Sequence, residues 1–436
     1  MSNKNYETII GLEIHIQLKT KTGLFSSVSN DSWQAKPNSL TNPVELGLPG
    51  ALPAPNKTAI EWTQRLGRSL NCRLNTKSKF DRKNYFYPDL PRGYQLSQYD
   101  EPFCEDGFLD IKDPSNHTQT KRIHITRIHL EEDSGKSMHK DGKTYLDFNK
   151  AGTPLVELVT EPDFRSPDEA SVFSKMIQEA VRILDISDAD MEKGQMRLEA
   201  NVSVRKLGET ELPNYRVELK NINSFKFMRD AINYEVERQI KALESGEELF
   251  QETRGWMEKE QKTVLQRSKE EAHDYRYFPE PDIPPFDFDD DYFARVLKDL
   301  PVMPWKKEED LLNRGVREDY AHLIAYDSAK YATFENLLEK SELAFEELVK
   351  VVVNTKDQDS AEAEIERINS KQSSTVGDDA LKQAVEKSIN DNPNAVDDFK
   401  NGKETAIKFL IGQVMRETKG QADAQQAEEM LVNKLS

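Results

Sequence analysis

Residues 9–19 read IIGLEIHIQLK, and their reading decides the architecture. Leu12, Ile14, Ile16 and Leu18 alternate with Glu13, His15 and Gln17, the period-two pattern of a strand with one buried face. The opposite face carries a carboxylate and an imidazole side by side. On an isolated strand such residues are ordinarily solvated; the alternative is a ligand pair lining a site.

The same alternation recurs outward along the chain. In RIHITRIHLEEDSGK, Ile123 and Ile125 are apolar at odd positions but Ile128 and Leu130 at even ones. A strand changes phase only by inserting a residue, so a β-bulge is predicted near Thr126 and Arg127, a device that often re-aims side chains beside sites. Beyond it Arg127, His129 and Glu131 share a face, followed by Glu132 and Asp133. In GTPLVELVTEPD, Glu157 sits among Leu155, Val156, Leu158 and Val159, where an ionised carboxylate is costly unless paired or metal-bound. MRLEANVSVR and YRVELKN repeat the pattern, with Arg197, Glu199, Arg205, Arg216, Glu218 and Lys220 on a charged face opposite an apolar one. Glu13, His15, Glu131, Glu132 and Glu157 together offer oxygens and one imidazole, a set suited to Mg2+ more than to structural zinc.

Helices punctuate this β-rich text. SPDEA opens one, with Ser166 as cap, Pro167 at the first helical position and Glu169 closing a capping box. A second is predicted from Phe225 to Ser245, stopping near Gly246. After PDIPPF the alternation gives way to helical spacing. The fold class is therefore α+β: a large mixed domain with an antiparallel sheet over 1–292, then an all-helical part. Within that part 293–356 reads as a helical domain, 357–395 as polar linker or frayed helix, and 396–436 as a small helical tail module.

Composition narrows the function. The 436 residues carry 78 acidic against 60 basic side chains, a formal net charge of −18, so a polyanion would have to bind locally. Neither DNA nor a membrane is expected as a partner, since no run approaches the roughly 20 apolar residues of a span. Cys72 and Cys104 lie too far apart for a CxxC pair, and with no signal-peptide pattern at the start the expected location is cytoplasmic. SGKS is not a Walker A ending, because Leu130 stands where that motif needs glycine. Neither cysteine lies in an activating motif and no Ser-rich Gly loop with a paired lysine appears, so no credible nucleophile constellation is read. KSKFDRKNYFYPDLPRGYQLSQYD interleaves Lys79, Arg82, Lys83 and Arg92 with Tyr85, Phe86, Tyr87, Tyr94 and Tyr99, a composition that suits either RNA contact or simple packing.

These stretches, together with DYRYFPEPD and the tail FKNGKETAIKFLIGQVMRETKGQAD, closely resemble the B subunits of bacterial tRNA-dependent amidotransferases. The resemblance is nearly continuous over about the first 300 residues. It implies a ligase subunit whose cradle domain uses ATP and Mg2+ to activate the carboxylate of misacylated Glu-tRNA(Gln), Asp-tRNA(Asn), or both, as an acyl phosphate. Ammonia from glutamine would come from a partner glutaminase, the family's A subunit. The C subunit would hold the pair together, and the helical parts of this chain would bind tRNA. The family's metal ligands fall on Glu13, His15, Glu131, Glu132 and Glu157; Glu13, His15 and Glu157 would be catalytic, with Lys79, Arg82 and Arg205 assisting phosphoryl transfer. The alternative is a non-catalytic tRNA-binding scaffold, which would have little reason to keep Glu157 in an apolar run. Between about Lys350 and Asp398 the chain is shorter than that family's usual helical region.

Overall fold

The alternating stretch at the N-terminus forms β1 (Tyr6–Gln17), the middle strand of a nine-stranded sheet. The computed structural model describes residues 5–268, 274–373, 378–403 and 405–435. It divides into two compact units, 1–303 and 304–436.

In chain order the first unit continues with α1 (Lys57–Ser69), β2 (Arg73–Leu74), β3 (Lys77–Ser78), β4 (Asp81–Asn84), β5 (Tyr94–Ser97), β6 (Cys104–Asp113), β7 (Asn116–Glu132), β8 (Lys136–Lys140) and β9 (Lys143–Asp147). There follow β10 (Pro154–Thr160), α2 (Pro167–Ile183), β11 (Met196–Lys206), β12 (Val217–Ile222), α3 (Phe225–Ser245), β13 (Glu252–Met257), β14 (Lys262–Ser268), β15 (Phe278–Pro279), β16 (Phe286–Asp287) and α4 (Asp290–Val296). The large sheet has the order β14-β13-β12-β11-β1-β10-β7-β6-β2. Its pairs are antiparallel except β12 and β13, which run parallel because α3 crosses between them.

One face of this sheet is apolar. Leu12, Ile14, Ile16, Ile128, Leu130, Val156, Leu158, Leu198, Ala200 and Val202 are all buried. Helices α1, α2 and α3 pack against the sheet, α1 on β6 and β7, α2 on β6, and α3 on β11, β12 and β14. The other face keeps the charged partners of the alternation. The phase change foreseen in β7 is there: Val159 pairs with Arg127 and Thr160 with Ile125, so Thr126 is the inserted residue. A second bulge lies in β12, where Leu198 faces Ile222 and Ala200 faces Leu219. Asn221 takes up the extra length in the left-handed region, at φ 64°.

Both expected helices form. The Ser166 side chain accepts from the Glu169 amide, but the Glu169 carboxylate accepts from the Arg165 amide at 2.7 Å, one residue earlier than a regular capping box. α3 has Ser224 as N-cap and ends at Gly246, whose φ of 77° is left-handed. On the inner side of α3 lies Glu235, fully buried. Its carboxylate accepts from Arg238 Nη2 (2.7 Å), Gln239 Nε2 (2.9 Å) and Thr263 Oγ1 (3.0 Å), and Arg254 Nε stands at 3.6 Å. This knot ties α3 to β13 and β14.

The second unit holds α5 (Pro304–Asn313), α6 (Glu318–Ala325), α7 (Ser328–Lys340), α8 (Phe345–Asn354), α9 (Gln358–Ser373), α10 (Asp378–Asp391), α11 (Pro393–Lys400), α12 (Thr405–Glu417) and α13 (Ala424–Leu435). Two corrections to the expected organisation follow. The boundary falls at Met303, not at 292, because Arg65 Nη1 donates to the carbonyls of Val296 (2.7 Å) and Lys298 (3.0 Å) and Tyr292 Oη to Gln64 (2.7 Å), binding the α4 region to α1. And of the stretch 357–395, expected as polar linker or frayed helix, the described residues form packed helices, while 374–377 lie outside the described residues. Ala361 and Ile365 of α9 join a core with Ile324, Phe334 and Val352, while Leu381, Ala384 and Val385 of α10 join Leu410, Val414, Ala427 and Leu431. Apolar residues at helical spacing, diluted by polar text, are enough to seat these helices once neighbouring helices cover them. No described helix is long and apolar enough to cross a membrane.

Candidate functional site

The charged face of the central sheet is where the candidate residues gather. His15 lies directly opposite Glu157, and Glu157 directly opposite His129, so β1, β10 and β7 place an imidazole, a carboxylate and an imidazole in one cross-strand row. His15 Nε2 is 3.3 Å from Glu157 Oε2 and His129 Nε2 is 3.4 Å from it. Two residues along β7, past the bulge that set this phase, Glu131 stands 3.7 Å from His129 Nε2. One ligand atom from each of His15, Glu131 and Glu157 lies within 4.8 Å of the others.

Cations surround this group. Lys83, at the end of β4, places its ammonium 3.8 Å from Glu131 Oε2 and 5.2 Å from the centre of the Tyr275 ring. Burial opposes the charge on Lys83, but Glu131 and Glu157 outweigh it and raise its pKa. Burial alone would lower His15 too, yet the hydrogen bond and charge of Glu157 raise it to about 9. Glu157 is in turn pulled well below the usual carboxylate range: its burial acts upward, and the two histidines overcome it.

Beside the first group is a second, Glu13, Glu199 and Glu218, with oxygens again within 4.8 Å of one another. Burial and the neighbouring Glu157 and Glu199 push the Glu13 carboxyl up, while Asn201 Nδ2 donates to it at 2.9 Å. Lys220, two residues beyond Glu218 on the same face of β12, joins this group, and its Nζ reaches Glu199 (2.7 Å) and Glu218 (3.2 Å). His15 and Glu157 of the first group and all three carboxylates of the second line one cavity of about 410 Å³ together with Arg127, Arg216, Thr253, Arg267, Tyr275 and Tyr277. Tyr277 stacks on Tyr99 with ring centres 4.5 Å apart.

The five expected ligands thus divide. His15, Glu131 and Glu157 come together; Glu13 belongs to the adjoining acidic group. Glu132 does not face the cavity: at the strand end its carboxylate turns to Arg92 and accepts from the Leu96 amide at 2.8 Å. The expected cations are displaced as well. Lys79 pairs with Asp81 (3.2 Å) and Asp100 (2.6 Å), Arg82 with Glu280 (2.6 Å), and Arg205 with Glu7 (2.6 Å), and none lines the cavity. Lys83, Lys220 and His129 are there instead. Each was visible in a charged or alternating stretch, His129 by sharing the phase of Glu131, but nothing in the sequence ranked Lys83 above its neighbours.

Comparisons with known proteins bear on the family of the chain. Residues 8–294 match a family described as the GatB/GatE catalytic domain, and residues 317–435 match one described as the GatB domain. The aspartyl/glutamyl-tRNA(Asn/Gln) amidotransferase B subunit of Thermodesulfovibrio yellowstonii is 40% identical over 473 residues, covering 98% of each chain. Its counterparts are 38% identical over 476 residues in Staphylococcus epidermidis, covering 99% of each chain, and 40% identical over 479 residues in Thermotoga maritima, covering 96% of each. These alignments span more positions than the 436 residues of this chain, so the relatives carry segments that it lacks.

Proposed function

The chain belongs to the family of aspartyl/glutamyl-tRNA(Asn/Gln) amidotransferase B subunits, and from that premise we propose that its charged sheet face activates the carboxylate of a misacylated Glu-tRNA(Gln) or Asp-tRNA(Asn) by ATP-dependent phosphorylation. A carboxylate oxygen attacks the γ-phosphorus, the bond to the β-phosphate oxygen breaks and ADP leaves. Ammonia then displaces phosphate from the acyl carbon. The ammonia is assigned to glutamine hydrolysis in a partner glutaminase, with a third polypeptide holding the two together in the same assembly.

The observation that carries this reading is the convergence of His15, Glu131 and Glu157 beneath the ammonium of Lys83. His15 Nδ1 is buried and has no hydrogen-bond partner among the described residues, and two carboxylates stand against one imidazole, a donor set that fits a divalent cation. Mg2+ held there would supply charge neutralisation at the transferring phosphoryl oxygens. Lys83, Arg127 and Arg267 are placed to take the remaining phosphate charge, and Tyr275 and Tyr277 wall the cavity against water.

The test is release of phosphate from ATP that depends on misacylated tRNA, measured on the assembled enzyme with wild-type chain and with Glu157→Gln. Loss of about 10²-fold or more in release, with tRNA affinity kept in a filter-binding assay, is expected. Parallel loss of both at an unchanged melting temperature would refute the assignment.

A further inference from the structure

Two histidines approach Glu157, and they do not have the same surroundings. His15 Nδ1 has no partner among the described residues. His129 Nδ1 accepts from Arg127 Nε at 3.4 Å, and the ring is buried between two strands. A guanidinium has only hydrogens to offer. A neutral His129 therefore keeps its one hydrogen on Nε2, and an imidazolium carries a hydrogen on both nitrogens. In either state Nε2 has no lone pair free, and it is the atom aimed at Glu157 Oε2 (3.4 Å) and Glu131 Oε2 (3.7 Å).

We propose that His129 is a positioning residue for the ion site: its Nε2 hydrogen, kept there by Arg127, holds the Glu131 and Glu157 carboxylates side by side toward His15 without ligating the ion. This rests on the metal reading given above. The register supports the division of labour. His129 is the cross-strand partner of Glu157 on β7, as His15 is on β1, so Glu157 is flanked by one ring that has a nitrogen to give and one that has only a hydrogen. Two carboxylates this close repel each other, and a shared donor offsets that repulsion before any cation arrives. Groups that orient ligands in this way typically change metal affinity by about 10- to 100-fold when removed.

The experiment is Mn2+ binding to the full chain, followed by calorimetry and by pulsed electron paramagnetic resonance, which counts directly bound imidazole nitrogens. Wild type should show a single bound nitrogen, that of His15. His129→Leu should weaken Mn2+ by about 10- to 100-fold while leaving that single nitrogen in the spectrum of the saturated protein. His129→Gln, which keeps an N–H near the same place, should recover most of the affinity, and Arg127→Met should fall between. Should His129→Leu fail to fold, His129→Gln decides alone: unchanged nitrogen coupling with near-native affinity supports the proposal. Two bound nitrogens in wild type, reduced to one in either His129 variant, would overturn it by making His129 a ligand. Equal affinities in wild type and His129→Leu would overturn it as well. Absence of any Mn2+–imidazole coupling in wild type would instead refute the metal reading, and this proposal with it.

Discussion

Replacing Glu235 by glutamine should destabilise the first unit well beyond what a single polar substitution usually does. The carboxylate is fully buried and gathers donors from Arg238, Gln239 and Thr263, with Arg254 close by. Glutamine keeps the volume, removes the charge and turns an N–H toward groups that are themselves donors. Removing one partner of a buried ion pair costs about 3–5 kcal/mol. Here the lower end applies, because the two arginine side chains keep 22% and 14% exposure and both also reach Glu252, at 3.6 and 2.9 Å. About 3 kcal/mol corresponds to a melting shift on the order of 5 °C for a unit of this size. Scanning calorimetry of the full chain reads it. Thr263→Val supplies the second arm: it should cost much less in the Glu235→Gln background than in wild type, since its hydroxyl donates to the same carboxylate. A drop below about 2 °C, or strictly additive losses, would refute the reasoning that this knot acts as one unit.

Three further outcomes are expected. Lys83→Met should lower tRNA-dependent amidation by about 10²- to 10³-fold, whereas Lys79→Met, outside the cavity, should leave steady-state rates close to wild type; the reverse order would restore the expectation read from sequence. Gly67→Ala should cost about 1–3 kcal/mol in urea unfolding, because a Cβ there would overlap Cys104 Sγ and come within 2.8 Å of its Cβ, and Cys104→Ala should recover only part of the loss. Glu45 is buried, its Oε2 has no partner among the described residues, and burial raises its pKa from 4.5, so the folded state holds this proton more tightly than the unfolded one and stability falls as pH rises from there. Glu45→Gln should then raise the melting temperature at pH 7–8, by roughly 1 kcal/mol in stability, and the gain over wild type should vanish near pH 4, where both states are protonated.

How far the sequence could be read depends on where its pattern had something to alternate against. β1, β11 and β12 have one apolar and one charged face, and their phase put His15, Glu199 and Glu218 each on the charged face of its own strand, while only the pairing of the three strands puts those faces on one side. The phase break at Thr126 was legible because four isoleucine and leucine positions straddle it. Glu131 and Glu132 are adjacent letters with opposite fates, and only the end of β7, where Arg92 reaches across, separates them. β4 spans four residues, too few for a period to choose among Lys79, Arg82 and Lys83. In the helical part, α9 and α10 hid because their buried residues are few and diluted by polar ones, and helix seating there depends on packing against neighbouring helices.

β1 is the first described strand to be made, yet neither of its neighbours follows it closely in the chain. Its two neighbours in the finished sheet are β10 and β11, so its first ladder waits for residues 154–160 and its second for residues 196–206. At about 5–20 residues per second the wait for β10 is on the order of 7–30 s, during which an alternating, half-apolar segment has no native ladder to join. Pairings this far apart in sequence also form slowly once the chain is free. The strand that carries the ion-site imidazole is consequently a segment of the nascent chain in need of shielding, and a newborn chain completes the cavity only when Tyr277, near the end of the first unit, has been synthesised.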